Sequence, residues 1–125
     1  MIVGCGVDMI EIPRIAEALA RYGDRFCQRV YRPAEIQYCR GKRNSAESFA
    51  ARFAAKEAAA KALGTGIHSG VGWRDIEVLR APSGKPSLAL HGRAAEIARR
   101  LGARNTVLSL THSREHALAY VLLED

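Results

Sequence analysis

Between Asn44 and Gly66 the chain reads N-S-A-E-S-F-A-A-R-F-A-A-K-E-A-A-A-K-A-L-G-T-G, with small apolar residues on most sides and no Gly or Pro before Gly64. Nine alanines stand in this run. Alanine is the strongest helix former, so about 20 residues are predicted to make one helix of about 30 Å. Asn44 is placed to cap its start, with Glu47 three positions later in the reciprocal capping-box place. Gly64 follows Leu63 where a left-handed residue ends a helix. Phe49, Phe53, Glu57 and Lys61 recur every four residues and form one stripe, on which a carboxylate and an ammonium follow two aromatic rings. One reading of Glu57 and Lys61 is an ordinary ion pair on a solvated face. After the first turn, however, the only charges are Arg52, Lys56, Glu57 and Lys61, so the helix is expected to be buried on several sides. Charges in such surroundings demand partners or a metal, which makes Glu57 and Lys61 candidate site residues.

The flanking patterns predict shorter elements. I-V-G-C-G-V at the start is a buried strand over residues 2–8 with Asp8 at its end, where it either caps the following turn or serves a site. Pro13 opens a helix running to about Arg21, with Ile12, Ile15, Ala16 and Leu19 inward, and Gly23 ends or kinks it. Phe26 and Val30 would bury a second piece, and Pro33 starts a short helix through Cys39. After the long helix comes G-T-G-I-H-S-G-V-G, four glycines in nine residues. It lacks the Lys and Ser or Thr that complete a phosphate loop, so chain reversal is its expected role. Asp75–Leu79 and Pro86–Leu90 alternate as a hairpin around A-P-S-G-K. Gly92–Leu101 is an amphipathic helix, and Thr106–His112 with Ala117–Leu123 forms a second strand pair. His112 and His116 straddle a turn rather than a helix face, which disfavours a metal pair. The fold class expected is α+β, a long central helix packed against an antiparallel sheet, in one domain over residues 1–125.

Composition narrows the function. Cys5, Cys27 and Cys39 are odd in number and lack C-x-x-C spacing, which predicts free thiols in a reducing cytoplasm and no zinc site. Neither a signal peptide nor a membrane span is expected. The net charge of +6 is concentrated in residues 14–43, which hold Arg14, Arg21, Arg25, Arg29, Arg32, Arg40, Lys42 and Arg43. That asymmetry implies either an acidic partner, whether nucleic acid, a phosphorylated small molecule or an acidic protein, or a merely solvated basic surface. Few aromatics accompany the arginines, so a stacking platform for single-stranded nucleic acid is disfavoured.

Four stretches together resemble the holo-acyl-carrier-protein synthases, the small single-unit branch of the 4′-phosphopantetheinyl transferases. They are G-V-D-M-I-E-I-P-R-I (Gly6–Ile15), R-F-A-A-K-E-A-A-A-K-A-L-G-T-G (Arg52–Gly66), G-K-P (Gly84–Pro86) and S-L-T-H-S (Ser109–Ser113). The K-E-x-x-x-K centre of the second is the most specific. Cys5, Tyr22 and the acidic Glu124-Asp125 end depart from the family pattern and leave open which carrier is preferred.

The resemblance implies Mg²⁺-dependent transfer of phosphopantetheine from coenzyme A to a serine of acyl carrier protein, in fatty acid biosynthesis, with release of adenosine 3′,5′-bisphosphate. By the same resemblance Asp8 and Glu57 hold the metal and Glu57 or hydroxide on the metal is the base. Lys61 would serve the phosphates. Two carboxylates suit Mg²⁺, which prefers hard oxygens and keeps several waters. Arg52, Lys61, Lys85, Pro86 and His112 would meet coenzyme A, with Gly64, Thr65 and Gly66 giving the backbone room. Arg14, Arg21, Arg25, Phe26 and Arg29 would dock the acidic carrier. The family also implies a homotrimer with sites shared between subunits, and neither nucleic acid nor a membrane as partner. A competing class, a non-catalytic nucleic-acid-binding module, would explain the charge but not carboxylates spent in apolar surroundings.

Overall fold

The alanine-rich run is the axis of the molecule. In a computed structural model describing residues 1–125 it forms helix α4, Ser45–Ala62. Asn44 caps it as expected, its Oδ1 accepting the Glu47 N–H at 3.2 Å. The reciprocal half of the capping box is not made; the Glu47 carboxylate instead accepts from Asn44 Nδ2 at 3.4 Å and faces His112. Gly64 takes the left-handed conformation at φ 84° just past the helix. Ala50, Ala54, Ala55, Ala58, Ala59, Ala60 and Ala62 are all buried, so α4 is packed on several sides.

Before α4 come strand β1 (Ile2–Glu11), α1 (Ile12–Tyr22), α2 (Asp24–Val30) and α3 (Pro33–Arg40). After it come β2 (Ile76–Arg80), β3 (Pro86–Leu90), α5 (Gly92–Leu101), β4 (Asn105–His112) and β5 (His116–Glu124). Gly23, at φ 52°, separates α1 from α2. The strands make two antiparallel sheets, β1-β5-β4 and the hairpin β2-β3. The fold is therefore α+β with the long helix against the larger sheet.

β1 corrects one expectation. It continues to Glu11 instead of stopping at Asp8, which pairs with Ala119 inside the sheet. Asp8 therefore does not cap the next turn; α1 starts from Glu11. The physical reason lies in the alternation of the strand. Gly4, Gly6, Asp8 and Ile10 face α4, opposite Leu123, Val121, Ala119 and Ala117 of β5. A Cβ on Gly6 would stand 2.0 Å from the Ala58 carbonyl oxygen, and one on Gly4 2.3 Å from that of Ala62. Only glycine against alanine permits this approach. It brings the next inward residue, Asp8, beside the helix face that carries Glu57 and Lys61.

The opposite face of the sheet is uncovered. Val7, Met9, Val107 and Tyr120 are 49%, 60%, 42% and 43% exposed, a contiguous apolar surface by register. No helix of the molecule is long and apolar enough to cross a membrane.

Candidate active site

Asp8 comes from the middle of β1, Glu57 and Lys61 from adjacent turns of α4, and all three open into one cleft of about 480 Å³ with Arg14, Phe26 and Phe53. Lys61 Nζ donates to Asp8 Oδ1 at 3.0 Å and to the Val7 carbonyl at 3.1 Å. The ammonium thus pairs across to the strand and not with Glu57 along its own helix. Glu57 takes no ion pair at all, and its carboxyl is raised above the usual carboxylate range. Burial is the larger cause and the charge of Asp8 the second; Lys61 and His68 act in the opposite sense.

Two like charges facing one another, one without a protein partner, form a donor set that favours a cation between them. Both supply hard oxygens. No third His, Cys, Asp or Glu joins them in a metal cluster, and Mg²⁺ is commonly held by one or two carboxylates with waters and substrate phosphates. The residues fit that ion.

The remaining expected residues are distributed over the molecule. Gly64, Thr65 and Gly66 follow the Leu63 cap of α4, with the Thr65 and Gly66 N–H groups both donating to the Ala60 carbonyl. Lys85 and Pro86 lie at the β2–β3 turn, Lys85 exposed. Arg52 does not enter the Asp8–Glu57 cleft. It is 4% exposed, donates to the Val78 carbonyl at 2.8 Å and stacks over Tyr38, lining a separate groove with Tyr38 and Arg80. His112 is 3.3 Å from Glu47 at the start of α4. Ten residues of helix separate Glu47 from Glu57, about 15 Å along the axis, so one chain does not bring His112 to the carboxylates.

Arg25, Phe26 and Arg29 share a hollow with Tyr22, of about 410 Å³, and Phe26 is common to this hollow and the cleft. Arg14, Arg21, Arg25 and Arg29 are exposed and form no ion pair within the chain.

Two features escaped the sequence reading. His68, on the glycine-rich loop, lies close enough to influence Glu57, a neighbourhood that only the return of the loop creates. On the other side of α4, Lys56 is fully buried against Glu35 at 2.9 Å. The available signal was the Arg52–Lys56 spacing, a second stripe of charge one residue out of phase with Phe53–Glu57.

Known proteins share this fold. Residues 4–121 match the family model described as the 4′-phosphopantetheinyl transferase superfamily. The chain is 55% identical over 125 residues, the full length of both, to a protein of Koribacter versatilis named holo-[acyl-carrier-protein] synthase. It superposes on the holo-[acyl-carrier-protein] synthase of Neisseria meningitidis with a TM-score of 0.89 at 33% identity, covering 100% of each chain. It does so with a TM-score of 0.81 at 39% identity on the Bacillus anthracis synthase solved with CoA (3′,5′-ADP), covering 98% of this chain and 96% of that one. With family match, whole-length identity and fold in agreement, the chain belongs to the 4′-phosphopantetheinyl transferase superfamily.

Proposed function

We propose that this chain is a holo-acyl-carrier-protein synthase. One domain spanning residues 1–125 moves the 4′-phosphopantetheine group of coenzyme A to a serine of apo acyl carrier protein, serving fatty acid biosynthesis. The observation that carries the proposal is the cleft in which Asp8, Glu57 and Lys61 converge from β1 and α4. In the reaction the carrier serine oxygen bonds to the phosphorus bearing the pantetheine, and the bond from that phosphorus to the bridging pyrophosphate oxygen breaks. Adenosine 3′,5′-bisphosphate leaves.

Asp8 and Glu57 would hold Mg²⁺, which when bound supplies charge neutralisation to the pyrophosphate. Lys61, already directed across the cleft at Asp8 and the Val7 carbonyl, has one donor left for a phosphate oxygen and stabilises charge as it develops on the leaving group. Glu57, whose affinity for a proton is raised by burial and by Asp8, is the candidate acceptor for the serine proton. Apolar Phe26 and Phe53 line the cleft and reduce its water, which strengthens each of these interactions.

The basic face from Arg14 to Arg29 suits an acidic carrier. Its guanidinium groups are not engaged with the chain's own carboxylates, and exposed charge of one sign steers an oppositely charged partner. A homotrimer with shared sites is supported by the uncovered sheet face of Val7, Met9, Val107 and Tyr120. The separation of His112 from Glu57 within one chain supports it as well, since a neighbouring subunit could supply His112, whereas Arg14 already lines the cleft of its own chain. The free thiols of Cys5, Cys27 and Cys39 accord with a cytoplasmic setting.

The test is to mix the purified protein with coenzyme A, Mg²⁺ and an apo acyl carrier protein and to weigh the carrier by mass spectrometry. The expected result is a carrier heavier by one phosphopantetheine at its serine, only when the cation is present. An unmodified carrier in the presence of folded protein would sink the proposal.

A further inference from the structure

The ion pair behind α4 gathers four segments. Lys56 Nζ donates to Glu35 Oε1 at 2.9 Å, to the Trp73 carbonyl at 3.1 Å and to the Ile76 carbonyl at 2.5 Å. Glu35 Oε1 also accepts the Arg32 N–H at 2.9 Å, and Oε2 accepts the Val78 N–H at 3.1 Å, with Arg52 Nη1 3.8 Å away. Glu35 is 1% and Lys56 0% exposed. Every ammonium proton and both carboxylate oxygens are therefore used, and three of the contacts fall on one short stretch, Trp73–Val78.

That stretch begins where the Gly64–Gly72 loop ends and leads into the β2–β3 hairpin. The loop itself is held at its start by α4, and its course needs unusual backbone. Gly64, Gly66 and Gly70 have φ of 84°, 62° and 86°, and Ser69 has φ 57°, a conformation that a residue with a Cβ adopts only when its surroundings impose it. A loop of this kind keeps its shape only if both ends are fixed. Lys56 fixes the far end, from the residue directly before Glu57.

We infer that the Glu35–Lys56 pair is a positioning device for coenzyme A. It ties the end of the Gly64–Gly72 loop and the start of the hairpin to the back of α4, and so sets where Thr65, Gly66 and Lys85 stand relative to Glu57 and Lys61. Neither residue touches the substrate. The inference rests on the transfer reaction proposed above, and gives the buried charges a task that the reaction itself does not use. Replacing a buried ion pair by groups of similar volume often leaves stability unchanged, whereas removing one partner does not. Exchanging both residues together removes both charges at nearly constant volume and leaves neither charge of the pair without the other, while the Trp73 and Ile76 carbonyls lose the ammonium that ties them to α4.

The experiment is steady-state kinetics and calorimetric binding of coenzyme A to the double variant Glu35→Gln/Lys56→Met. The expected result is a cooperatively folded protein whose KM and Kd for coenzyme A rise roughly tenfold or more, because small misplacements of binding groups are costly. Its kcat at saturating coenzyme A and its KM for the carrier should stay near wild type. A folded double variant with wild-type KM and Kd overturns the inference, since a merely architectural pair would behave in that way. A wild-type enzyme inert in the same assay overturns the transfer reaction and the inference with it. Should the double variant not fold, hydrogen exchange on the native enzyme decides. Coenzyme A should slow exchange at Trp73–Val78 together with Thr65–His68, and protection confined to Thr65–His68 overturns the coupling.

Discussion

Lys56 and Glu57 are consecutive residues of one helix, yet they stand in opposite situations. Lys56 is sealed on the side of α3 and β2 with every proton donated. Its pKa is lowered by burial even though Glu35 opposes the shift. Glu57 looks toward β1 across an open cleft, holds no ion pair and is raised. Both pKa shifts have burial as their largest cause, so perturbation alone does not tell architecture from chemistry. Satisfaction does. A buried charge whose partners are all supplied by the chain belongs to the framework, and a carboxylate left facing another carboxylate is waiting for something the chain does not contain.

The largest expected effect separates the two sides by stability. Lys56→Met takes from the buried Glu35 its ammonium at 2.9 Å and leaves Arg52 at 3.8 Å as its one charge partner, and urea unfolding should show a loss of about 3–5 kcal/mol. Lys61→Met removes a half-exposed pair with Asp8 and should cost under about 1 kcal/mol. Comparable losses from the two would erase the distinction.

Next comes Glu57→Gln, expected to lower kcat on the order of 10²-fold at saturating coenzyme A with a melting temperature equal to or above wild type, because the repulsion from Asp8 disappears. A variant that retains turnover and cation dependence would remove Glu57 from the chemistry.

A smaller effect follows from the raised Glu57 carboxyl. Since the native state holds this proton more tightly than the unfolded chain, the contribution to stability is fully present below the ordinary carboxylate pKa. It is lost as pH rises through the raised value. In cation-free buffer the unfolding free energy of wild type should therefore fall relative to Glu57→Gln over that window. A difference independent of pH would mean that Glu57 is not perturbed.

The smallest change belongs to the basic face. Arg14→Ala with Arg21→Ala should raise KM for the carrier several-fold and weaken its dependence on added salt, because exposed charges are screened within about 8 Å at physiological ionic strength. An unchanged constant and salt dependence would assign the face another role.

Most of the fold was legible because its signals are local. The alanine run, the Asn44 cap and the Gly64 stop fix α4, and Gly23 divides α1 from α2 by its backbone freedom. The mid-strand place of Asp8 is not legible locally, because the strand that extends β1 to Glu11 is β5, more than a hundred residues later. Gly4 and Gly6 read as small apolar residues until α4 stands against them. Of the site, the stripe carrying Glu57 and Lys61 was readable from its four-residue period, and the family resemblance joined Asp8 to it. The pairing of Lys61 with Asp8, the influence of His68 and the sealing of Lys56 against Glu35 depend on chain returns that no local pattern encodes.

The central claim is that the open side of α4 is a cation site completed by the substrate. Titration calorimetry of Mg²⁺ into the protein with coenzyme A bound tests it most directly, alongside Glu57→Gln and the framework variant Glu35→Gln/Lys56→Met at saturating coenzyme A. The account predicts one ion per site for wild type and for the framework variant, and affinity weakened at least about tenfold by Glu57→Gln. Equal Mg²⁺ affinity in wild type and Glu57→Gln would contradict it.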